Sequence, residues 1–189
     1  MKRFIVVGHR ATTAGDFSLN DLPGSAGRLD VLCRCVNSCF FLSHDFRRDV
    51  ECYLVLLGPP EPPKTVLFKG GELKYLNPDE RSAGSLIKKA LALPCGTSFR
   101  ESTPGVYVRR GGFETIIQEH ECALLDEQGK DIRTAENLPE CFILSDHMNF
   151  TSEEEEILGS RLKYSVGPWS LHADHTITVV LNEMDRREH

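Results

Sequence analysis

Apolar runs are short in this chain. None approaches the roughly 18 residues needed to cross a bilayer, and the run at the N-terminus, Phe4 to Val7, stops at Gly8, His9 and Arg10, too soon for the core of a signal peptide. The expectation is a protein that neither spans nor crosses a membrane. No CxxC pair occurs, and the seven cysteines (Cys33, Cys35, Cys39, Cys52, Cys95, Cys122 and Cys141) are odd in number and irregularly spaced. That pattern argues against a secreted disulfide framework or a zinc ribbon and points to a reducing cytoplasm. Positive charge is also in short supply: 22 Lys and Arg face 28 Asp and Glu, a net charge of -6. Indiscriminate nucleic-acid binding, which needs clustered cations, is thereby excluded, and any RNA must meet a local basic patch. The pairs Arg47–Arg48, Lys88–Lys89 and Arg109–Arg110 are available for one, but each reads more readily as plain solubilising surface.

Several catalytic signatures are absent too. No GxSxG, P-loop or GxGxxG follows a strand, which removes the common marks of hydrolases, nucleoside triphosphatases and dinucleotide enzymes. Without HExxH, His172 and His175 read as solvated helix histidines although Asp174 lies between them. Cys33, Cys35 and Cys39 read as buried small hydrophobes, since a helix places only the last two on a common face. No metal site is expected.

What remains is an ordinary globular composition, with 189 residues that are 40% apolar and 26% charged. At roughly 150 residues per domain this predicts one domain over residues 1–189, without repeats or a linker that divides it. Phe4 to Val7 reads as a buried strand. Leu29, Leu32, Cys33, Val36 and Phe40 form one stripe of a helix ending near Ser43, with Asp30, Arg34 and Asn37 on another face. Tyr53–Leu57 is a strand, and Thr65–Phe68 with Glu72–Lys74 suggests a hairpin about Gly70–Gly71. Ser82–Leu93 reads as a helix, Val106–Val108 as a strand, 112–119 as a short helix and Ala123–Leu125 as a strand. The polar stretch Glu127–Glu140 reads as a loop or irregular helix. Cys141–Leu144 is a buried strand, Thr151 and Glu154 stand in capping-box spacing, and the last segment, about Ser170 to Arg186, continues a helical period to the end. Strands alternating with helices imply an α/β fold, a largely parallel sheet with helices on both faces. In such sheets ligands bind beyond the carboxyl ends of strands, so the end of the strand at Leu144 and the turns Ser165–Pro168 and Leu171–Thr176 are the default pocket.

Four segments carry a more specific signal: RFIVVGHRATT at the start, LNDLPGSAGRLDVLCRCVNSCFFLSHDFRRDVECYLVLLG, LKYLNPDERSAGSLIKKAL, and SVGPWSLHADHTITVVLNEMDR near the end. In order and spacing, over nearly the whole chain, they resemble the TrmY family of archaeal tRNA pseudouridine-54 N1-methyltransferases, of the SPOUT class. The resemblance implies S-adenosyl-L-methionine as methyl donor, tRNA as substrate, a homodimer, and a deep C-terminal trefoil knot over about residues 141–186, which periodicity alone would never suggest. It places cofactor contacts at Leu144, Gly167, Leu171, His172, Ala173, Asp174, His175 and Thr176. Two departures stand out. The family's strand-end motif LGDHxGF is LSDHMNF here, with Ser145 and Asn149 at glycine positions, and Thr176 replaces a usual cysteine. If those glycines need positive φ, the replacements strain the turn by about 1 to 3 kcal/mol.

For the chemistry, Asp79 in NPDER or Asp30 in GRLD is the candidate carboxylate base, and Arg10, Arg28, Arg34 and Arg81 are the candidate RNA contacts. Each carboxylate also has a plain structural reading, Asp79 as the cap of the following helix and Asp30 as partner of Arg34 one turn on. Two rival functions share this fold: a noncatalytic RNA-binding protein, and N1-methylation of pseudouridine in ribosomal RNA.

Overall fold

The computed structural model describes residues 1–189. Along the chain it runs β1 (Lys2–Gly8), α1 (Leu22–Ser25), α2 (Leu29–Phe40), β2 (Val50–Leu56), β3 (Lys64–Lys69), α3 (Glu80–Leu91), β4 (Arg100–Thr103), β5 (Val106–Arg110), α4 (Phe113–Glu119), β6 (Ala123–Asp131), a 3-10 turn (Ile132–Thr134), β7 (Cys141–Ser145), α5 (Ser152–Leu158), β8 (Lys163–Ser165) and α6 (Ala173–Glu188). Eight strands make one sheet in the order β4-β5-β3-β2-β1-β7-β6-β8. β1 pairs in parallel with β2 and β7, and β6 in parallel with β7 and β8. The other edge is antiparallel, β3 lying between β2 and β5 and β4 closing against β5.

Unbroken apolar runs such as Phe4–Val7 and Phe142–Leu144 are explained by a sheet covered on both faces. Phe4, Val6, Phe142 and Leu144 join the larger core beneath α1, α2, α3 and α6. Ile5, Val7, Cys141 and Ile143 face the opposite way, into a smaller core closed by Phe113, Ile116 and Ile117 of α4 and Leu158 of α5. The α/β expectation with helices on both faces therefore holds. So does the capping box, in which the Thr151 side chain accepts from the Glu154 amide while the Glu154 carboxylate accepts from the Thr151 amide. No helix is long and apolar enough to cross a membrane.

Three local expectations are corrected, and two short strands are added. Thr65–Phe68 does not pair with Glu72–Lys74, because β3 is already bonded along both edges by β2 and β5; instead the amides of Glu72 and Leu73 close a turn on the Lys69 carbonyl, each at 3.0 Å. The polar stretch after Leu125 continues as strand to Asp131, since after a register shift Lys130 and Asp131 pair with Tyr164 and Ser165 of β8. Tertiary pairing there overrides weak propensity. The strands β4 and β8, four and three residues long, carried no readable period. Finally, Cys122 and Cys141 form a disulfide, against the expectation of unpaired cysteines. The parallel register Ala123↔Phe142 sets the two side by side, and no sequence spacing encodes that contact.

The loop from β1 to α2 is held by a tight backbone crossing. Gly27 has φ +62°, and a Cβ there would stand 1.8 Å from the Arg10 carbonyl oxygen; Arg28 follows, also left-handed at φ 63°. Gly27→Ala is expected to destabilise the protein by about 2 kcal/mol or more, through strain and displacement of the Arg10 backbone. Urea denaturation checks this, and an unchanged midpoint would contradict it.

Candidate active site

Beyond the carboxyl ends of β7 and β8 lies a cavity of about 300 Å³. Three stretches of chain build its wall: Leu124–Glu127 from β6, Leu144–Asp146 with Met148–Phe150 after β7, and Tyr164–Val166 running on to Trp169, Ser170 and Leu171 before α6. Ala173 and Thr176 of α6 and Glu155 of α5 complete it. Leu124, Leu144, Tyr164, Val166 and Leu171 offer apolar surface suited to a flat ring. Ser145, Ser165, Ser170 and Thr176 add hydroxyls. The charged groups of the lining are all carboxylates, Asp126, Glu127, Asp146 and Glu155, with no lysine or arginine among them. Such a site favours a ligand with positive charge and disfavours polyphosphate. Trp169, the one tryptophan of the chain, is 79% exposed at its mouth.

Leu144, Leu171, Ala173 and Thr176 of the candidate cofactor positions come together on this wall. The other four belong to the same turns without lining it. Gly167 is held by Ser165, whose hydroxyl donates to the Gly167 carbonyl (2.8 Å) and accepts from its amide (3.3 Å). A Cβ on Gly167 would have no atom within 4 Å. His172 caps α6, its carbonyl accepting from the Thr176 amide at 2.9 Å and the Thr176 hydroxyl at 3.1 Å. His175 points outward, while Asp174 is buried with Oδ1 unpartnered and Oδ2 3.9 Å from Arg34 Nε. The strain foreseen at Ser145 and Asn149 does not arise, because Arg28 is the one non-glycine residue at positive φ. Ser145 uses its hydroxyl instead to donate to the Met148 carbonyl, closing the turn.

The candidate carboxylates both have partners. Asp79 is the N-cap of α3, its Oδ1 accepting from the Ser82 amide at 2.7 Å. Asp30 is buried and takes both arms of Arg28 (3.0 and 3.1 Å) and Nη1 of Arg34 (3.0 Å). Burial alone would raise the Asp30 pKa, but the two guanidiniums outweigh it and hold the carboxyl below its usual range. Arg34 also bonds Glu80 at 3.1 Å. Arg81 donates to Asn20, and Arg10 is exposed at the start of the loop after β1.

A third group escaped the sequence reading. His9, directly after β1, lies between Asp146 after β7 and Glu154 of α5. Its Nδ1 is 3.0 Å from Asp146 Oδ1, its Nε2 2.8 Å from Glu154 Oε2, and its amide donates to Asp146 Oδ2 at 3.1 Å. Desolvation lowers the His9 pKa, but the hydrogen bonds and charges of Asp146 and Glu154 more than offset it, and the net shift is upward. Asp146 is likewise pushed up by burial and brought below its usual range by His9 and the Met148 amide. With 137 and 145 residues separating the partners, the one clue in the sequence was that each of two short buried strands ends in an ionisable residue.

Comparison with known proteins agrees with this geometry. A family model described as "Putative SAM-dependent RNA methyltransferase" matches residues 1–189. A protein of Methanocorpusculum labreanum named tRNA (pseudouridine(54)-N(1))-methyltransferase is 58% identical, the match covering 99% of this chain and 98% of that protein. Proteins of the same name from Methanococcoides burtonii and Haloferax volcanii are 53% and 50% identical, each match covering 98% of this chain and 96% of the relative. Among solved structures, Archaeoglobus fulgidus Nep1 bound to S-adenosylhomocysteine superposes with a TM-score of 0.69 at 15% identity, covering 100% of this chain and 99% of that one, a likeness of fold. From its first residue to its last, the chain belongs to the family of S-adenosylmethionine-dependent RNA methyltransferases.

Proposed function

We propose that this protein transfers a methyl group from S-adenosyl-L-methionine to N1 of pseudouridine 54 in the T-loop of tRNA. The observation that carries the reading is the cavity beyond β7 and β8, apolar on its walls and charged only by carboxylates, in a chain half or more identical to proteins named for that reaction. These residues fit S-adenosylmethionine: its adenine is flat, and its sulfonium and ammonium groups are cationic. When bound, the cofactor supplies an electrophilic methyl group.

Leu144, Leu171, Ala173 and Thr176 hold the cofactor, with Gly167 and the backbone of His172, Asp174 and His175 shaping the turn around it. Glu127 and Glu155, the wall carboxylates that carry no salt bridge, would offset its positive charge. Methyl transfer would leave S-adenosylhomocysteine and release the N1 proton to water, and the chain's own contribution would be chiefly to hold the two reactants together. Arg10, Arg28, Arg34 and Arg81 receive the RNA. Asp30 fixes two of these guanidiniums at one spot, and Asp79 starts the helix that carries Arg81. Both carboxylates thus act through structure, Asp79 as a helix cap and Asp30 as a carboxylate held below its usual range by two guanidiniums, which makes it a weak base. With few cations, the protein recognises a local loop with a splayed base, and its salt dependence is modest. The same reading includes a tail threaded as a trefoil knot, a homodimer, and a cytoplasmic location.

Incubation of unmodified and pseudouridine-containing tRNA with purified protein and S-adenosylmethionine, read by nucleoside mass spectrometry, tests the activity. The expected product is 1-methylpseudouridine at position 54, and its absence, or methylation of ribosomal RNA alone, would overturn the assignment. A crystal structure with S-adenosylhomocysteine tests the knot and the dimer, and a lone unthreaded chain would count against both. Gly167→Ala should leave the melting temperature unchanged, because its Cβ meets open space, whereas Leu144→Ala, on the cavity wall, should weaken S-adenosylhomocysteine binding about tenfold, as calorimetry would register. Asp79→Asn preserves the cap and should keep turnover within about twofold, whereas Asp30→Asn should raise the KM for tRNA several-fold by releasing Arg28 and Arg34. A large loss of kcat in Asp79→Asn would restore it as the base.

A further inference from the structure

His9 lies against the cavity without lining it. Asp146 and Ser145, on the wall, are reached by His9 from behind: Asp146 through two bonds, Ser145 through its hydroxyl 3.4 Å from Nδ1. On its other side His9 reaches Glu154, whose same carboxylate oxygen accepts from the Thr151 amide at 2.8 Å and so begins α5. One imidazole therefore joins the end of β1, the turn after β7 and the start of α5. The three side chains are nearly sealed, 8% exposed for His9, 0% for Asp146 and 10% for Glu154. Water offers little substitute for a lost contact.

Both ring nitrogens face carboxylate oxygens, which accept and cannot donate. Only the doubly protonated ring satisfies both. A neutral ring has one N–H, so one carboxylate would face a lone pair in a buried site. We propose that His9, as an imidazolium, is a positioning residue that pins the Ser145–Phe150 wall of the cavity to β1 and α5, so that cofactor affinity falls when His9 loses its second proton. This rests on the reading that the cavity holds S-adenosylmethionine.

The neighbouring charges agree with a retained proton. Asp146 faces Nδ1 from the turn after β7, and Glu154 faces Nε2 from α5. His147 Nδ1 stands 3.3 Å from the other oxygen of Asp146, and Arg28, at the start of α2, acts on Asp146 from further away. Arg10 adjoins in sequence but is exposed. The upward net shift at His9 has the matching sign. A histidine raised in the folded state contributes stability that is complete below its unfolded value of 6.5 and is lost as pH rises through the folded value. The wall should therefore loosen on the alkaline side, not the acid side.

Titration calorimetry with S-adenosylhomocysteine at about pH 6.5 and about pH 9 tests this in wild type, His9→Gln and Glu154→Gln. Wild-type affinity is expected to fall about tenfold across the interval, and His9→Gln to bind weakly at both values with no such fall. Any titration of the ligand's own amino group is common to all three proteins, so the difference in slope is decisive. Glu154→Gln keeps an acceptor for Nε2 but removes a charge, and should move the fall to lower pH, an outcome that does not require the His9 variant to fold. Equal slopes in wild type and both variants would overturn the proposal, while wild type failing to bind at either pH would overturn the cofactor reading instead. Independently of any ligand, nitrogen-15 spectra of histidine should show both His9 ring nitrogens protonated at about pH 7.5. A single neutral tautomer there would refute the role.

Discussion

Parallel pairing of β1 with β7 is the constraint from which the site follows. Arg3 to Val7 lie in register with Cys141 to Ser145, and both strands are buried on both faces, so a slip of one residue would exchange two apolar cores of different shape. That locked register brings the two strand ends together, His9 against Asp146, and the Asp146 amide donates to the Val7 carbonyl to extend the pairing by one bond. β6 on the far side of β7, and β8 beyond it, supply more of the wall, which α5 and α6 complete. The cavity is therefore where a parallel sheet runs out and its loops diverge, the usual place for a ligand in such sheets.

Charge is sorted within this frame. The protein is acidic overall, and its cavity is acidic too, as befits a cationic methyl donor. Three of its arginines, Arg10, Arg28 and Arg34, stand at the loop after β1 and the start of α2, where Asp30 binds Arg28 and Arg34 together.

Much of this was legible in advance. The helices α2, α3 and α6 announced themselves by apolar stripes, β1 and β7 by short apolar runs, and α5 by the spacing of Thr151 and Glu154. The four family-like segments named the chemistry, and four of the positions that the resemblance implies, Leu144, Leu171, Ala173 and Thr176, share one cavity wall. The false hairpin at Glu72, the hidden strand through Asp131 and the Cys122–Cys141 bond have one cause in common: each depends on which strand lies alongside, and pairing partners leave no period in a single chain.

Local signals, in short, are those in which neighbouring residues satisfy each other: a cap three residues from its amide, a stripe that buries itself on one face, a run with no polar interruption. These the amino-acid order determined unaided, together with the class of reaction through its likeness to relatives. Tertiary structure alone decided that His9 would be held between carboxylates 137 and 145 residues away, and that the cavity would carry no positive side chain. Those outcomes arise from sheet order and from the low dielectric that folding creates, where a charge must find its partner in space and distance along the chain is irrelevant.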